Sequence, residues 1–277
     1  MKNCAKQTGG QIAKWLLICV LSVWSAMRAD AATGVVLNSG NSTVGIDPYT
    51  QAGVNQWHVD GINALSKQWF WYRVGSNPEQ PISAIGAPVI TPINAYSAKL
   101  VYTMPGLFDI QVTYTLQGGQ AGSGTADLSE QIRINNLSAN PLDFHFYQFS
   151  DFNLGLADSL VLSQNLLGKF YRAAQSSGPV SLQETVVSPG ASHGEAGLGG
   201  FTLGRLNDGL ATTLNDNANA VGDVTWAFQW DSQIAAGGSF VIGKDKRLVV
   251  AVPEPTTVAL AGLGLALLLG AARRRLG

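Results

Sequence analysis

The sequence predicts an all-β domain, an antiparallel β-sandwich or jelly-roll-like fold, flanked by a signal peptide and a C-terminal transmembrane helix. Three observations predict the β-domain. Apolar and polar residues alternate with period two in many short runs between residues 32 and 252. Turn pairs rich in Gly, Asn and Pro separate those runs. No long apolar stripe of helical period lies between the two ends. Period-two runs with aromatic and β-branched residues are half-buried strands, and many at short spacing make a sandwich or a jelly roll.

Early strands are expected at 43–46, 54–59, 67–74 and 98–103. The run 110–116 alternates cleanly, with Ile110, Val112, Tyr114 and Leu116 on one face. A strand over 131–135 follows, with Glu130 and Arg133 read as outward polar residues. It runs through Asn140-Pro141 into 142–149, where Phe144 and Phe146 oppose His145, Tyr147 and Phe149. These two read as one long hairpin. Further strands are expected at 160–163, 168–173, 180–187, 225–230 and 239–243, with Trp226, Phe228 and Trp230 sharing a face. The glycine-rich stretch 190–200 reads as a loop. No charged or Pro-rich linker divides 32–252, which predicts one domain.

The chain of 277 residues is 46% hydrophobic and 13% charged, too apolar for a mostly disordered protein. Residues 1–31 have the three parts of a secretory signal peptide. Lys2, Lys6 and Lys14 precede an apolar core at 15–24, and Ala29-Asp30-Ala31 is a small-x-small cleavage site. Signal peptidase is therefore an expected partner, cutting after Ala31. Cys4 and Cys19 both lie in this segment, so the domain at 32–252 has no cysteine. That excludes disulfides, a zinc–thiolate site and a thiol nucleophile there.

Residues 253–277 read Pro253-Glu254-Pro255, then an uncharged stretch at 256–272, then Arg273-Arg274-Arg275. As a helix the stretch is about 25 Å long, the short end of a membrane span. The arginines would stay at the cytoplasmic side. Triplet, helix and basic tail together resemble the PEP-CTERM sorting signal of Gram-negative bacteria. The resemblance implies that an exosortase reads Pro253, Glu254 and Pro255, while Arg273, Arg274 and Arg275 hold the tail at the inner membrane. It implies export through the inner membrane, anchoring before processing, and a cell-surface or extracellular location associated with exopolysaccharide and biofilm. Two prolines fix φ and keep the segment extended, a shape that a processing enzyme can grip.

The formal net charge of the whole chain is −1. The ends hold seven of its 17 basic and two of its 18 acidic residues, leaving ten basic and 16 acidic between 32 and 252. A domain of net charge −6 is a poor ligand for nucleic acid.

Within the domain, His58 with Asp60, and Asp143 with His145, are two residues apart and so share a strand face. Each pair reads as a histidine with a local hydrogen-bond partner, and no metal or cofactor is expected. His193 has no partner nearby in sequence. Asp151, Asn153 and Asp158 offer oxygen ligands at calcium-like spacing but lack a closing glutamate, and the polar group Asn215, Asp216, Asn217 and Asn219 reads equally as ordinary turn residues. Asp127, Glu130, Glu184 and Glu195 are carboxylates that a glycosidase could use if two faced one cleft. Nucleophile-elbow, zincin and Walker motifs are absent, and no catalytic residue is assigned. Asn41 and Asn136 open Asn-x-Ser/Thr triplets. Trp69, Trp71 and Tyr72 put large aromatics on both faces of one strand. They read as a doubly covered central strand, or as a glycan-stacking platform. The sequence thus points to an exported, non-enzymatic surface or matrix protein, with a carbohydrate-binding module as the alternative and a glycan-active hydrolase behind it.

Overall fold

The computed structural model describes residues 34–155 and 157–252. The expected signal peptide and the C-terminal anchor lie outside the described residues. Among those described, no helix is long and apolar enough to cross a membrane.

In chain order the first strands are β1 (Val35–Ser39), β2 (Ser42–Asp47), β3 (Gly53–Val59), β4 (Ile62–Asn63), β5 (Leu65–Val74) and β6 (Gln80–Pro81). Next come β7 (Val89–Asn94), β8 (Ser97–Met104), β9 (Phe108–Gly118), β10 (Thr125–Asn136), β11 (Leu142–Phe152) and β12 (Asp158–Gln164). The last are β13 (Phe170–Ser177), β14 (Val180–Ser188), β15 (His193–Leu198), β16 (Asn219–Gly222), β17 (Val224–Ile234) and β18 (Ser239–Val249). A 3-10 turn at Ile82–Ala84 and the short helix α1 (Phe201–Arg205) complete the described elements.

Two sheets form. One has the order β1-β2-β3-β5-β11-β17-β15, with β4 on β3 and β6 on β5. The other has the order β16-β12-β13-β14-β18-β10-β9-β8-β7. Pairing is antiparallel apart from a short parallel contact of Gly53 and Val54 with Gln68. Period-two sequences make this possible, because the central strands of the second sheet, such as β9 and β10, bury alternate side chains. In β9, Phe108, Ile110, Val112, Tyr114 and Leu116 are buried while the residues between them are partly exposed.

The first sheet is covered on both sides at its centre. Phe70, Phe146 and Trp230 pack ring to ring with centroids 5.4 and 6.2 Å apart. Tyr72 packs on Phe108 of the other sheet at 5.2 Å. The alternate face of β5 and β11 carries Trp71 against Phe149 at 6.4 Å.

The expected hairpin at 123–151 is instead an arch. β10 belongs to the second sheet and β11 to the first, so the connection passes between sheets. The link from β17 to β18 does the same, and the two arches lie side by side. Asn136 joins them: its Nδ2 donates to the carbonyls of Asn140, Ile234 and Ala235, and its N–H donates to Gly238. A hairpin and an arch share the same alternation and turn residues, so the local pattern does not separate them.

The stretch 190–200 also departs from expectation. Its residues 193–198 form β15, which pairs with β17 at the sheet edge. Glycine there serves close packing: a Cβ on Gly194 would lie 2.9 Å from the Phe170 ring.

Glu130 is the third departure. It is in phase with Leu128 and Ile132 and faces the core, at 2% exposure, while Arg133 faces out. Lys244 and Lys246 alternate inward on β18. Glu130 lies in register with Lys244 on one side, and Glu184 of β14 with Lys246 on the other. All four side chains have zero exposure. Lys244 Nζ donates to Glu130 Oε2 at 2.5 Å, and Lys246 Nζ stands 2.9 Å from the same oxygen. Gln148 reaches in from β11 of the opposite sheet, its Nε2 donating to Glu184 Oε2 at 2.7 Å and its Oε1 accepting from Lys244. Burial pushes the Glu130 carboxyl up, but the two ammonium groups reverse this and hold it at about 2. Burial pushes Lys244 down, and its two carboxylate neighbours only partly offset this.

Two carboxylates and two ammoniums cancel, so each charge has a compensating partner out of water. Removing one partner leaves another stranded. Lys246→Met is expected to destabilise the domain by about 3–5 kcal/mol in chemical denaturation. A loss under about 1 kcal/mol would show that the cluster carries no such electrostatic dependence.

Candidate functional site

A polar constellation outside the core lies on the outward face of β11, β17 and β15. On β11, Phe144, Phe146 and Gln148 point to the opposite sheet, so His145 and Tyr147 point away from it. Register puts Asp231 of β17 directly across from His145, and Gln229 across from His193 of β15. His145 Nδ1 is 2.5 Å from Asp231 Oδ1, and its Nε2 is 3.5 Å from Asp143. His193 Nε2 is 3.6 Å from Asp231 Oδ2, and its Nδ1 is 3.1 Å from both oxygens of Asp216. Asp231 thus bridges two imidazoles.

Asp216 reaches His193 from a non-glycine residue with positive φ, 62°, a conformation that Asp tolerates better than most. Gln229 Nε2 donates to Asp231 Oδ1 at 2.7 Å while its Oε1 accepts the Leu214 N–H at 2.9 Å. The carboxylate is therefore held on several sides. Burial pushes the Asp231 carboxyl up, but hydrogen bonds from His145 and Gln229 and the charge of both imidazoles outweigh it. The group sits below the ordinary aspartate value.

A strap runs over this face from α1 to residue 218. Buried Glu195 organises it, accepting from Thr202 Oγ1 at 2.6 Å, from Arg205, and from the Asn215 N–H at 3.1 Å. A second buried pair, Arg73 with Glu79 at 3.0 Å, holds the strap further along through the Thr212 N–H. Tyr147 adds its hydroxyl, donating to the Thr212 carbonyl and accepting from Arg73. Between the strap and β15 is a pocket of about 410 Å³. Glu195, Asn215, Asn217 and Asn219 line it, together with Phe201, whose side chain is exposed.

The strap also settles the aromatic strand. Trp69 and Trp71 have zero exposure and Tyr72 has 7%. Trp71 Nε1 donates to Asn207 of the strap, and Tyr72 lies on Phe108. These rings are covered from both sides and offer no face for a sugar in this structure.

The expected carboxylates do not meet across a cleft either. Glu130 and Glu184 belong to the core cluster, Glu195 is committed to the strap, and Asp127 is 3.2 Å from Arg247. His58 and Asp60 do not pair: Asp60 accepts the N–H groups of Gly122 and Gly124 and the Asn41 amide. Asp158 accepts from Leu154 N–H and Gln175, with Asp151 and Asn153 outside that contact. Asn136, buried and triply bonded, has no free amide for a glycan, and the Asn41 amide is bonded too. Asp143–His145 is the sequence pair that does lie in the constellation. Asp231, Gln229 and the His193–Asp216 contact went unread in sequence, because strand pairing brings Asp231 to His145 and the strap brings Asp216 to His193.

Residues 251–275 match the PEP-CTERM protein-sorting motif. No curated protein matches the sequence. Among solved structures, a bacterial glucoamylase complexed with acarbose superposes with a TM-score of 0.56 at 10% identity. The match covers 84% of this chain, which spans about a third of that one, 34%. A galactose mutarotase-like protein from Lactobacillus casei gives a TM-score of 0.51 at 8% identity, covering 78% of this chain and 99% of that one. The Slr1438 protein from Synechocystis gives 0.52 at 10%, covering 79% and 96%. Identities this low show a shared fold.

The depressed Asp231 value has a definite sign. Such a carboxylate stabilises the fold above the ordinary aspartate range, and that stabilisation is lost as pH falls through the depressed value. Asp231→Asn is expected to lower stability near neutral pH, with the gap to the parent closing as pH drops. Urea unfolding across a pH series measures it, and a gap independent of pH would contradict the assignment.

Proposed function

We propose, from the PEP-CTERM sorting motif that the chain carries, an exported protein of the bacterial envelope or extracellular matrix whose β-domain binds carbohydrate. Signal peptidase removes residues 1–31. The C-terminal stretch holds the chain in the inner membrane, with Arg273, Arg274 and Arg275 inside, until exosortase acts at Pro253, Glu254 and Pro255. The domain at 32–252 is then displayed or released, in association with exopolysaccharide.

One observation carries the sugar reading: an exposed ring, Phe201, flanks a pocket lined by Asn215, Asn217 and Asn219. A pyranose has a rim of hydroxyls and apolar C–H faces. Carboxamides donate and accept to the rim, and a flat ring covers the face. Two proteins of the same fold support it, one complexed with acarbose and one named for galactose mutarotation. This reading places the aromatic platform at Phe201 in place of Trp69, Trp71 and Tyr72.

A second reading draws on His145 and His193 sharing Asp231. Two partly exposed imidazoles on either side of one carboxylate can take and give a proton, which is acid–base chemistry on a bound sugar.

Mass spectrometry of exported protein is expected to show a C-terminus near Pro253–Pro255; recovery of Arg273–Arg275 on released protein would refute the processing. On a glycan array the domain is expected to bind, and Phe201→Ala to weaken binding about three- to tenfold with folding intact. Unchanged binding would remove the pocket from the reading. Anomer exchange followed by NMR separates the two readings: acceleration that His193→Ala abolishes establishes catalysis, and its absence leaves binding alone.

A further inference from the structure

The core cluster places an amine against a carboxamide in a dry site. Lys244 Nζ contacts Gln148 Oε1 across the interface of the two sheets. Glu130 Oε2 accepts from the same Nζ at 2.5 Å, and Glu184 Oε2 accepts from Gln148 Nε2 at 2.7 Å. The Phe70 ring lies 4.8 Å from Nζ, and the side chains of Lys244, Glu130 and Glu184 are inaccessible to solvent. A nucleophile, a base beside it, an acyl group and a carboxylate at the leaving nitrogen are thus assembled, with water excluded.

We infer that Lys244 and Gln148 join as an intramolecular isopeptide bond, tying the two sheets covalently. Glu130 takes one proton from the Lys244 ammonium and frees its lone pair. The amine adds to Cδ of Gln148. Nε2 then leaves as ammonia, taking a second Nζ proton through the carboxylates of the cluster, while Glu130 keeps the first. One C–N bond forms and one breaks, with no oxidant, reductant or cofactor. The charge count favours the product: one ammonium, Lys246, remains with one ionised carboxylate, Glu184, so the core stays neutral. Ammonia leaves uncharged, which suits passage through an apolar interior. Burial also works in this direction, because it favours the neutral amine of Lys244.

The two residues are 96 positions apart, so the bond would close a long loop in a domain that has no cysteine to do so.

Intact mass of the purified, folded protein, with both termini determined, tests this directly. The expected result is a deficit of one ammonia, with a protease-derived peptide containing Gln148 linked to one containing Lys244. Gln148→Leu is expected to restore the full sequence mass, and Glu130→Gln to leave the bond unformed while both partners remain. The parent protein alone is decisive if a variant fails to fold. Full sequence mass with both peptides recovered unlinked would overturn the inference. A deficit of one water would assign the link to a glutamate and overturn it equally.

Discussion

Four ionisable side chains sealed between two sheets set the constraint on which the rest of this molecule is arranged. Glu130, Lys244, Lys246 and Glu184 are tolerable out of water only while each meets its opposite. That requirement fixes the register of β10, β18 and β14 against one another, since a slip of one residue would turn every partner to the other face. Gln148 extends the requirement across the interface, so the first sheet is indexed onto the second by polar contacts rather than by shape alone. The twin arches held by Asn136 join β10 to β11 and β17 to β18, and so share β10, β11 and β18 with the cluster. Cluster and arches therefore act on one central block, and the outer strands build on it.

Much of that block was legible in the sequence, and the reason is period two. The opposition of Phe144 and Phe146 to His145 and Tyr147 was readable because alternate residues take opposite faces. The charged run after Gly243 was not. The expected strand at 239–243 stops short of Lys244, Lys246 and Arg247, whereas β18 runs to Val249. A charge can be buried only with partners, and those partners, 60 or more residues away in sequence, are set by pairing between strands. Glu130 was misjudged for the same reason.

The candidate site divides along the same line. Asp143 and His145 are neighbours on one strand and were seen. His193 had no visible partner, because Asp216 arrives on the strap and Asp231 on a paired strand. The aromatic strand shows the converse. Its rings were visible in sequence, but what covers them was not, because the strap that supplies Asn207 is a polar, irregular segment held by buried Glu195 and Glu79.

The outermost strands bear on how copies of this domain meet one another. An open sheet edge is a template onto which another chain can zip its backbone. At one border of the second sheet, β7 carries Pro92, which lacks an N–H, and its register shifts between Pro92 and Asn94. At the other border, β16 offers four residues, ending at a glycine. Both borders of this sheet are therefore poor seeds for fibre growth, even where copies of the domain are concentrated.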